Sequence, residues 1–204
     1  MSEPQIIPLC ERLVRAIDSA SKLPLTAVRS DPTDLIAAFA SIGVAARGYL
    51  YPEELLQIAL LKNGGKLSGK TRAAIGANSA EAIKVLTHLA LSATDDELAI
   101  RYLLGLDGVN LATASCILAW TEPGRWPVID VNAWAAIEHF DDERSRPARR
   151  SKALKLSDWL FYVRQVRVIA EASGRMPQEV DVWLYNIGRS VKAQRIARTP
   201  NLDR

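Results

Sequence analysis

The fold is decided by residues Leu98–Phe140, which read LAIRYLLGLDGVNLATASCILAWTEPGRWPVIDVNAWAAIEHF. The centre of this stretch, Leu106–Asn110, joins two short helical segments through a turn so tight that only a hairpin fits it. Gly108 can take a positive φ angle, and Asn110 is the next most tolerant residue type for a left-handed conformation. Val109 lies between them and can anchor the turn in the core. The sequence therefore predicts a helical hairpin here.

Such a hairpin directs backbone N–H groups outward at the start of its second helix. These groups lack intrahelical acceptors and lie at the positive end of the helix dipole, so together they favour a phosphate group. The small side chains that follow, from Ala112 to Ser115, would let two helices pack closely or let a DNA backbone approach. We therefore expect DNA contacts from five hairpin residues: Gly108, Val109, Asn110, Ala112 and Thr113.

Helical patterns cover most of the remaining chain. No segment alternates cleanly between apolar and polar residues as a half-buried strand would, which predicts an all-α fold. The whole of residues 1–204 is expected to form one helical domain, with a charged linker near 141–155 if the domain divides into two lobes. Expected helix starts and ends lie at these positions: Asp31, Pro52, Ser79, the capping box Thr94–Glu97, Ser157, Gly174 and Gln178.

Charge is unevenly distributed along the chain. Residues 1–143 carry 12 Lys and Arg against 18 Asp and Glu, a net charge of −6, whereas residues 144–204 carry 14 against 5, a net charge of +9. A basic C-terminal third favours a polyanionic partner. The N-terminus does not resemble a signal peptide and no apolar run is long enough to span a membrane, so we expect a cytoplasmic or nucleoid-associated protein.

No metal or organic cofactor is expected. The chain has only 2 cysteines, Cys10 and Cys116, which by themselves cannot hold an iron–sulfur cluster or a four-cysteine zinc site. The two histidines, His88 and His139, lack metal-ligand spacing. Reduced thiols are the simplest interpretation of the cysteines.

The hairpin, a loop rich in Gly and Pro, and a following Asp occur here in the order and spacing of the helix-hairpin-helix DNA glycosylase superfamily, which this sequence resembles. The family hairpin reads roughly Leu-Pro-Gly-Val-Gly, and here it is Leu106–Asn110. The loop corresponds to Pro123–Pro127, and the family's invariant Asp falls on Asp130. The run Asp130–Trp134 is similar to the Asp-Val-x-x-Trp of oxidised-guanine glycosylases.

The resemblance implies a two-lobed fold, duplex DNA as partner, and removal of a damaged or mispaired base from a flipped nucleotide during base-excision repair. Asp130 would be the key carboxylate. Family members that also cut the strand use a lysine in the second hairpin helix, and the matching position is Ala112. The resemblance thus implies a monofunctional N-glycosylase, and we expect borohydride to trap no covalent adduct between this protein and DNA.

Other interpretations compete with this one. Asp130 could act only as the N-cap of the next helix, in a helix-hairpin-helix module that binds DNA or another partner without chemistry. Residues 64–71 match the phosphate-loop pattern of nucleotide hydrolases, which would need a buried strand before the loop. We interpret that match as chance and expect Lys66, Lys70 and Arg72 to form a loose basic patch on the DNA backbone.

Overall fold

A computed structural model describes residues 6–21, 43–141 and 153–198. Within these ranges the chain is helical and contains no strand, so the prediction of an all-α fold is confirmed. The predicted helix start at Asp31 and residues 142–152 of the predicted linker lie outside the described residues. The helices are α1 Ile6–Ser21, α2 Val44–Arg47, α3 Pro52–Lys62, α4 Gly69–Ala77, α5 Ala80–Ser92, α6 Asp96–Leu104, α7 Leu111–Thr121, α8 Val131–Phe140, α9 Leu156–Ser173 and α10 Pro177–Arg198.

Short polar side chains fix the first turns of several helices. The hydroxyl of Ser79 accepts the N–H of Ala82, as its position before α5 predicts. At α6 the predicted cap is displaced by one residue, because the Asp95 carboxylate, one residue after Thr94, accepts the N–H of Leu98. The C-terminus of α9 lies where the sequence places it, at Gly174 with φ 64°.

Helix α7 is the centre of the core. From Thr113 to Trp120 each of its residues is buried, which explains the apolar and small residues all round this helix. Helices α3, α5 and α6 pack against α7, whereas α1, α9 and α10 pack against one another and α8 packs against α10. The two groups of helices meet where α6 contacts α9.

A glycine allows α8 and α10 to cross very closely. A Cβ added to Gly188 of α10 would lie 1.8 Å from the carbonyl oxygen of Asn132 in α8. Real Cβ atoms are never found that close to an oxygen, so only glycine fits at this crossing. Gly188, inside the continuous helix α10, is therefore the contact point with α8.

A cluster of charged side chains joins the two groups of helices. Both carboxylate oxygens of Asp96, at the start of α6, accept hydrogen bonds from the guanidinium of Arg167 in α9, one of them at 2.8 Å. The indole N–H of Trp126 donates to the same carboxylate at 2.9 Å. Burial alone would raise the pKa of Asp96, but these hydrogen bonds and the charges of Arg167 and Arg125 outweigh it and hold the pKa below its usual value.

No helix in the described part of the chain is both long enough and apolar enough to cross a lipid bilayer.

Candidate active site

Asp130 occupies the N-cap of α8. Its Oδ1 accepts the N–H groups of Asn132 at 2.7 Å and Ala133 at 2.9 Å. The negative charge therefore faces the positive end of the helix dipole. Only one oxygen is needed for capping, so Oδ2 is left to interact elsewhere. The side chain is 18% exposed, which keeps it accessible from the surface.

The two residues before Asp130 are held by buried side chains from distant helices. The N–H of Ile129 donates to the hydroxyl of Ser115 in α7 at 3.2 Å. The N–H of Val128 donates to the carboxyl of Asp181 in α10. Two successive backbone groups are thus fixed from opposite sides, and the segment that carries Asp130 has a defined position although it has no regular secondary structure.

Asp181 is an acid in the interior. It is 6% exposed and accepts a hydrogen bond of 2.5 Å from the hydroxyl of Tyr162, which is fully buried. Burial raises the pKa of Asp181 to about 8, and the negative charge of Asp130 acts in the same direction. The hydrogen bond from Tyr162 and the charge of Lys62 offset only part of that effect. At neutral pH this carboxyl therefore holds a proton.

The second oxygen of Asp130 faces a lysine that the sequence did not single out. Nζ of Lys62, the last residue of α3, lies 3.8 Å from Oδ2 of Asp130, and each side chain is 18% exposed. The two residues are far apart in the sequence, and no motif or spacing connects them. Only the packing of α3 against α7 brings the amine to the carboxylate.

Lys62 is close enough to α7 for its charge to act on a buried thiol of that helix. Cys116 follows Ala112 by four residues, so the two share one face of the helix, one turn apart. The charge of Lys62 acts on the thiol of Cys116, whose pKa burial nevertheless raises to about 12. The buried thiol therefore stays protonated and inert.

The hairpin turn itself depends on Gly108. Its φ of 77° confirms the predicted positive angle. A Cβ there would lie 2.8 Å from Cγ1 of Ile75 and 3.0 Å from the carbonyl oxygen of Thr71, so the turn packs directly on α4. The side chain of Asn78 adds a reciprocal pair of 2.9 Å hydrogen bonds with the backbone N–H and carbonyl of Asp107.

Asn110 does not use the left-handed conformation that its residue type tolerates. Its φ of −95° and ψ of 173° are extended, and its side chain caps α7 by accepting the N–H of Thr113 at 2.9 Å. The side chains of Val109 and Thr113 are buried, whereas Asn110 is exposed and Ala112 is partly exposed. A phosphate at this helix start would therefore meet the N–H groups of Leu111 and Ala112, which have no acceptor within the helix.

The predicted basic patch lies beside the hairpin. Lys66, Lys70 and Arg72 are exposed, and the last two belong to α4, the helix on which Gly108 packs. The glycine-rich loop before α4 follows α3, which is a helix, so the buried strand that a phosphate loop requires does not precede it. Both cysteines are buried and unpaired, and no cluster of metal-ligand side chains occurs within the described ranges.

Comparison with known proteins adds no relative: no protein-family model, no curated protein and no solved structure matches this chain. The chemistry assigned to the site therefore depends on its geometry.

Proposed function

We propose that this chain is a DNA N-glycosylase with a two-lobed helix-hairpin-helix fold, and that it removes a damaged or mispaired base from duplex DNA in the cytoplasm or nucleoid. The observation that carries the proposal is the fixed position of Asp130. Its Oδ1 caps α8, its Oδ2 stays accessible, and buried side chains of α7 and α10 lie against the two preceding residues. A carboxylate needed only for capping would not require that support.

The reaction uses the negative charge of Asp130 on a flipped nucleotide. A base within the stack cannot be reached, so the nucleotide rotates out of the duplex first. As the bond between base and sugar lengthens, positive charge develops on the sugar, and the carboxylate stabilises that charge or orients the attacking water. Base release is then hydrolytic, in the monofunctional manner that Ala112 implies, and it uses no metal or organic cofactor.

Duplex DNA is held by the hairpin and the neighbouring basic residues. The exposed start of α7 offers backbone N–H groups to one phosphate, while Lys66, Lys70 and Arg72 supply positive charge beside it. Because Gly108 and Asn78 fix the hairpin to α4, the two contact regions form one surface. Contacts of this kind orient a duplex without reading its sequence.

Release of free base from a panel of damaged and mispaired duplexes tests the proposal. The decisive variant is Asp130→Asn, because asparagine caps helices nearly as well as aspartate and so preserves the fold while removing the charge. The matched control is Asp95→Asn, which makes the same change at the N-cap of α6. We expect Asp130→Asn to lower base release by about 100-fold or more and the control to match the native protein. Equal release by both variants would remove Asp130 from the mechanism.

A second candidate is a helix-hairpin-helix module that binds DNA without chemistry. The observation that favours it is that both capping bonds of α8 are made by Asp130, which gives this carboxylate a purely structural use. Such a module would bind duplex DNA with a steep salt dependence and release no base from any substrate. Absence of binding at low salt would point instead to a protein–protein interaction module.

A further inference from the structure

The loop between α7 and α8, Glu122–Pro127, is hydrogen-bonded to both groups of helices. One guanidinium nitrogen of Arg125 donates to two carbonyl oxygens at the C-terminal end of α5, at 2.6 and 2.9 Å. On the opposite side, the carbonyl oxygen of Arg125 accepts Nε of Arg167 in α9 at 3.1 Å. The carbonyl oxygen of Pro123 accepts the N–H of Gln178 in α10 at 3.4 Å. This junction loop therefore connects the group around α7 with the group of α1, α8, α9 and α10.

Arg167 uses its whole guanidinium at this junction. Nη1 and Nη2 donate to the two carboxylate oxygens of Asp96 in α6, while Nε donates to the junction loop. The same carboxylate accepts the indole N–H of Trp126, which is fully buried beneath the guanidinium of Arg125 at 3.8 Å from its ring centre. A planar guanidinium bound on two sides fixes the orientation of its partners as well as their distance.

Asp130 lies on the boundary between the same two groups. Its Oδ1 caps α8, whereas its Oδ2 faces Lys62 at the end of α3, which belongs to the group around α7. Only three residues separate Asp130 from Trp126 in the junction loop. Rotation of one group of helices against the other would therefore move this carboxylate relative to α3 and to the hairpin.

We propose that Arg167 and the junction loop form a clasp that holds the two groups of helices in one orientation, and that Arg167 is thereby a positioning residue for Asp130. The consequence for chemistry rests on the proposed function, in which the hairpin holds the duplex and Asp130 acts on the flipped nucleotide. The fixed orientation does not rest on it. An ordinary ion pair between Asp96 and Arg167 would require only opposite charges, whereas the clasp requires the three N–H groups of an arginine.

The test measures the distance between the two groups by pulsed electron paramagnetic resonance. Spin labels are attached to the full chain at Glu81→Cys in α5 and Glu171→Cys in α9, two exposed positions. Both native thiols are buried, so the label reacts with the introduced cysteines. The first variant is Arg167→Lys, which keeps the charge but not the planar fork, and the second is Asp96→Asn. The control is Arg164→Lys, the same change at an exposed arginine of α9.

We expect the native protein and Arg164→Lys to share one narrow distance distribution, and both clasp variants to shift or broaden it by about 2 Å or more. Circular dichroism verifies that each variant is folded. The native distribution in Arg167→Lys and Asp96→Asn would overturn the inference, because an ion pair without a positioning role tolerates lysine. The same change in Arg164→Lys would also overturn it.

Base release by the same variants separates this inference from the proposed function. At saturating duplex, Arg167→Lys should release base about 10- to 100-fold more slowly, since small displacements of a reacting group are costly. Its affinity for duplex should stay unchanged, because the hairpin is intact. Native base release by Arg167→Lys despite a changed distance would overturn the positioning role. A changed distance without base release by the native protein would support the clasp and refute the N-glycosylase, and base release with unchanged distances would do the reverse.

Discussion

Replacing Gly188 by alanine places a methyl group where α8 and α10 touch. The added carbon would lie 1.8 Å from the carbonyl oxygen of Asn132 and 3.1 Å from the backbone nitrogen of Ala136. Ordinary contact begins near 3.4 Å, so the helices must separate by about 1.6 Å. The obstacle is helix backbone, which cannot rotate away as a side chain can, so the cost lies at or above the upper end of the usual overpacking range, about 3 kcal/mol.

Helix propensity favours alanine over glycine and so opposes this destabilisation. A glycine at an unobstructed helix position therefore serves as the control. In an unobstructed helix, exchange of glycine for alanine stabilises by about 1 kcal/mol. Gly76 in α4 is such a position, because a Cβ there would meet no atom within 4 Å. We therefore expect Gly76→Ala to raise the free energy of unfolding slightly and Gly188→Ala to lower it, with a difference of about 3 kcal/mol between the two variants.

Unfolding of both variants in urea, followed by circular dichroism, measures this difference. Movement of α8 also moves its N-cap, so on the proposed function Gly188→Ala should reduce base release even where the variant stays folded. Equal stability of Gly188→Ala and Gly76→Ala would refute the close crossing of α8 and α10 and, with it, the explanation given for the glycine.

Three further predictions concern the support and the DNA contacts of the site. Ser115→Ala leaves the buried N–H of Ile129 without an acceptor and should lower the free energy of unfolding by about 1–3 kcal/mol, whereas Ser190→Ala, at an exposed hydroxyl, should change it little. The folded state binds the proton of Asp181 more tightly than the unfolded state, so the free energy of unfolding should fall as the pH rises from about 4 to about 8. Urea titrations at several pH values measure this dependence, and Asp181→Asn should make it weaker. If Lys70 contacts one phosphate, Lys70→Ala should weaken duplex binding and reduce the slope of log affinity against log salt concentration by about 0.9. Binding titrations over a range of salt concentrations measure this slope, and an unchanged slope would exclude the contact.

Features encoded within a few residues could be predicted from the sequence. The caps at Ser79 and Asp130 depend on side chains next to the helix ends they fix, and the stop at Gly174 depends on a glycine that can take a positive φ, so local chemistry is sufficient. The positive φ of Gly108 belongs to the same class. Asn110 shows where local chemistry leaves a choice, because asparagine suits both a left-handed turn and an N-cap, and here it is the N-cap of α7.

The rest of the candidate site could not be predicted, because it depends on contacts between distant parts of the chain. Lys62 is an ordinary lysine at the end of an amphipathic helix until α3 packs on α7. Asp181 follows a common pattern of acids on a surface helix, and only the fold shows that it is buried against Tyr162. Gly188 carried a visible signal, a glycine inside a helix, but its cause lies in α8.

The hydrogen bond from the N–H of Ile129 to Ser115 marks a part of the molecule that opens rarely. This amide hydrogen lies in a segment without regular secondary structure, yet it should exchange with deuterium slowly, because its acceptor is buried in α7 and exposing it requires the segment to leave that helix. The loop Asn63–Ser68 is the opposite case, since added side chains at Gly64 and Gly65 would meet no neighbour. On the proposed function, this loop, which directly follows Lys62, would change conformation to fit substrates of different shape. The carboxylate of Asp130, which is paired with Lys62, would stay in place.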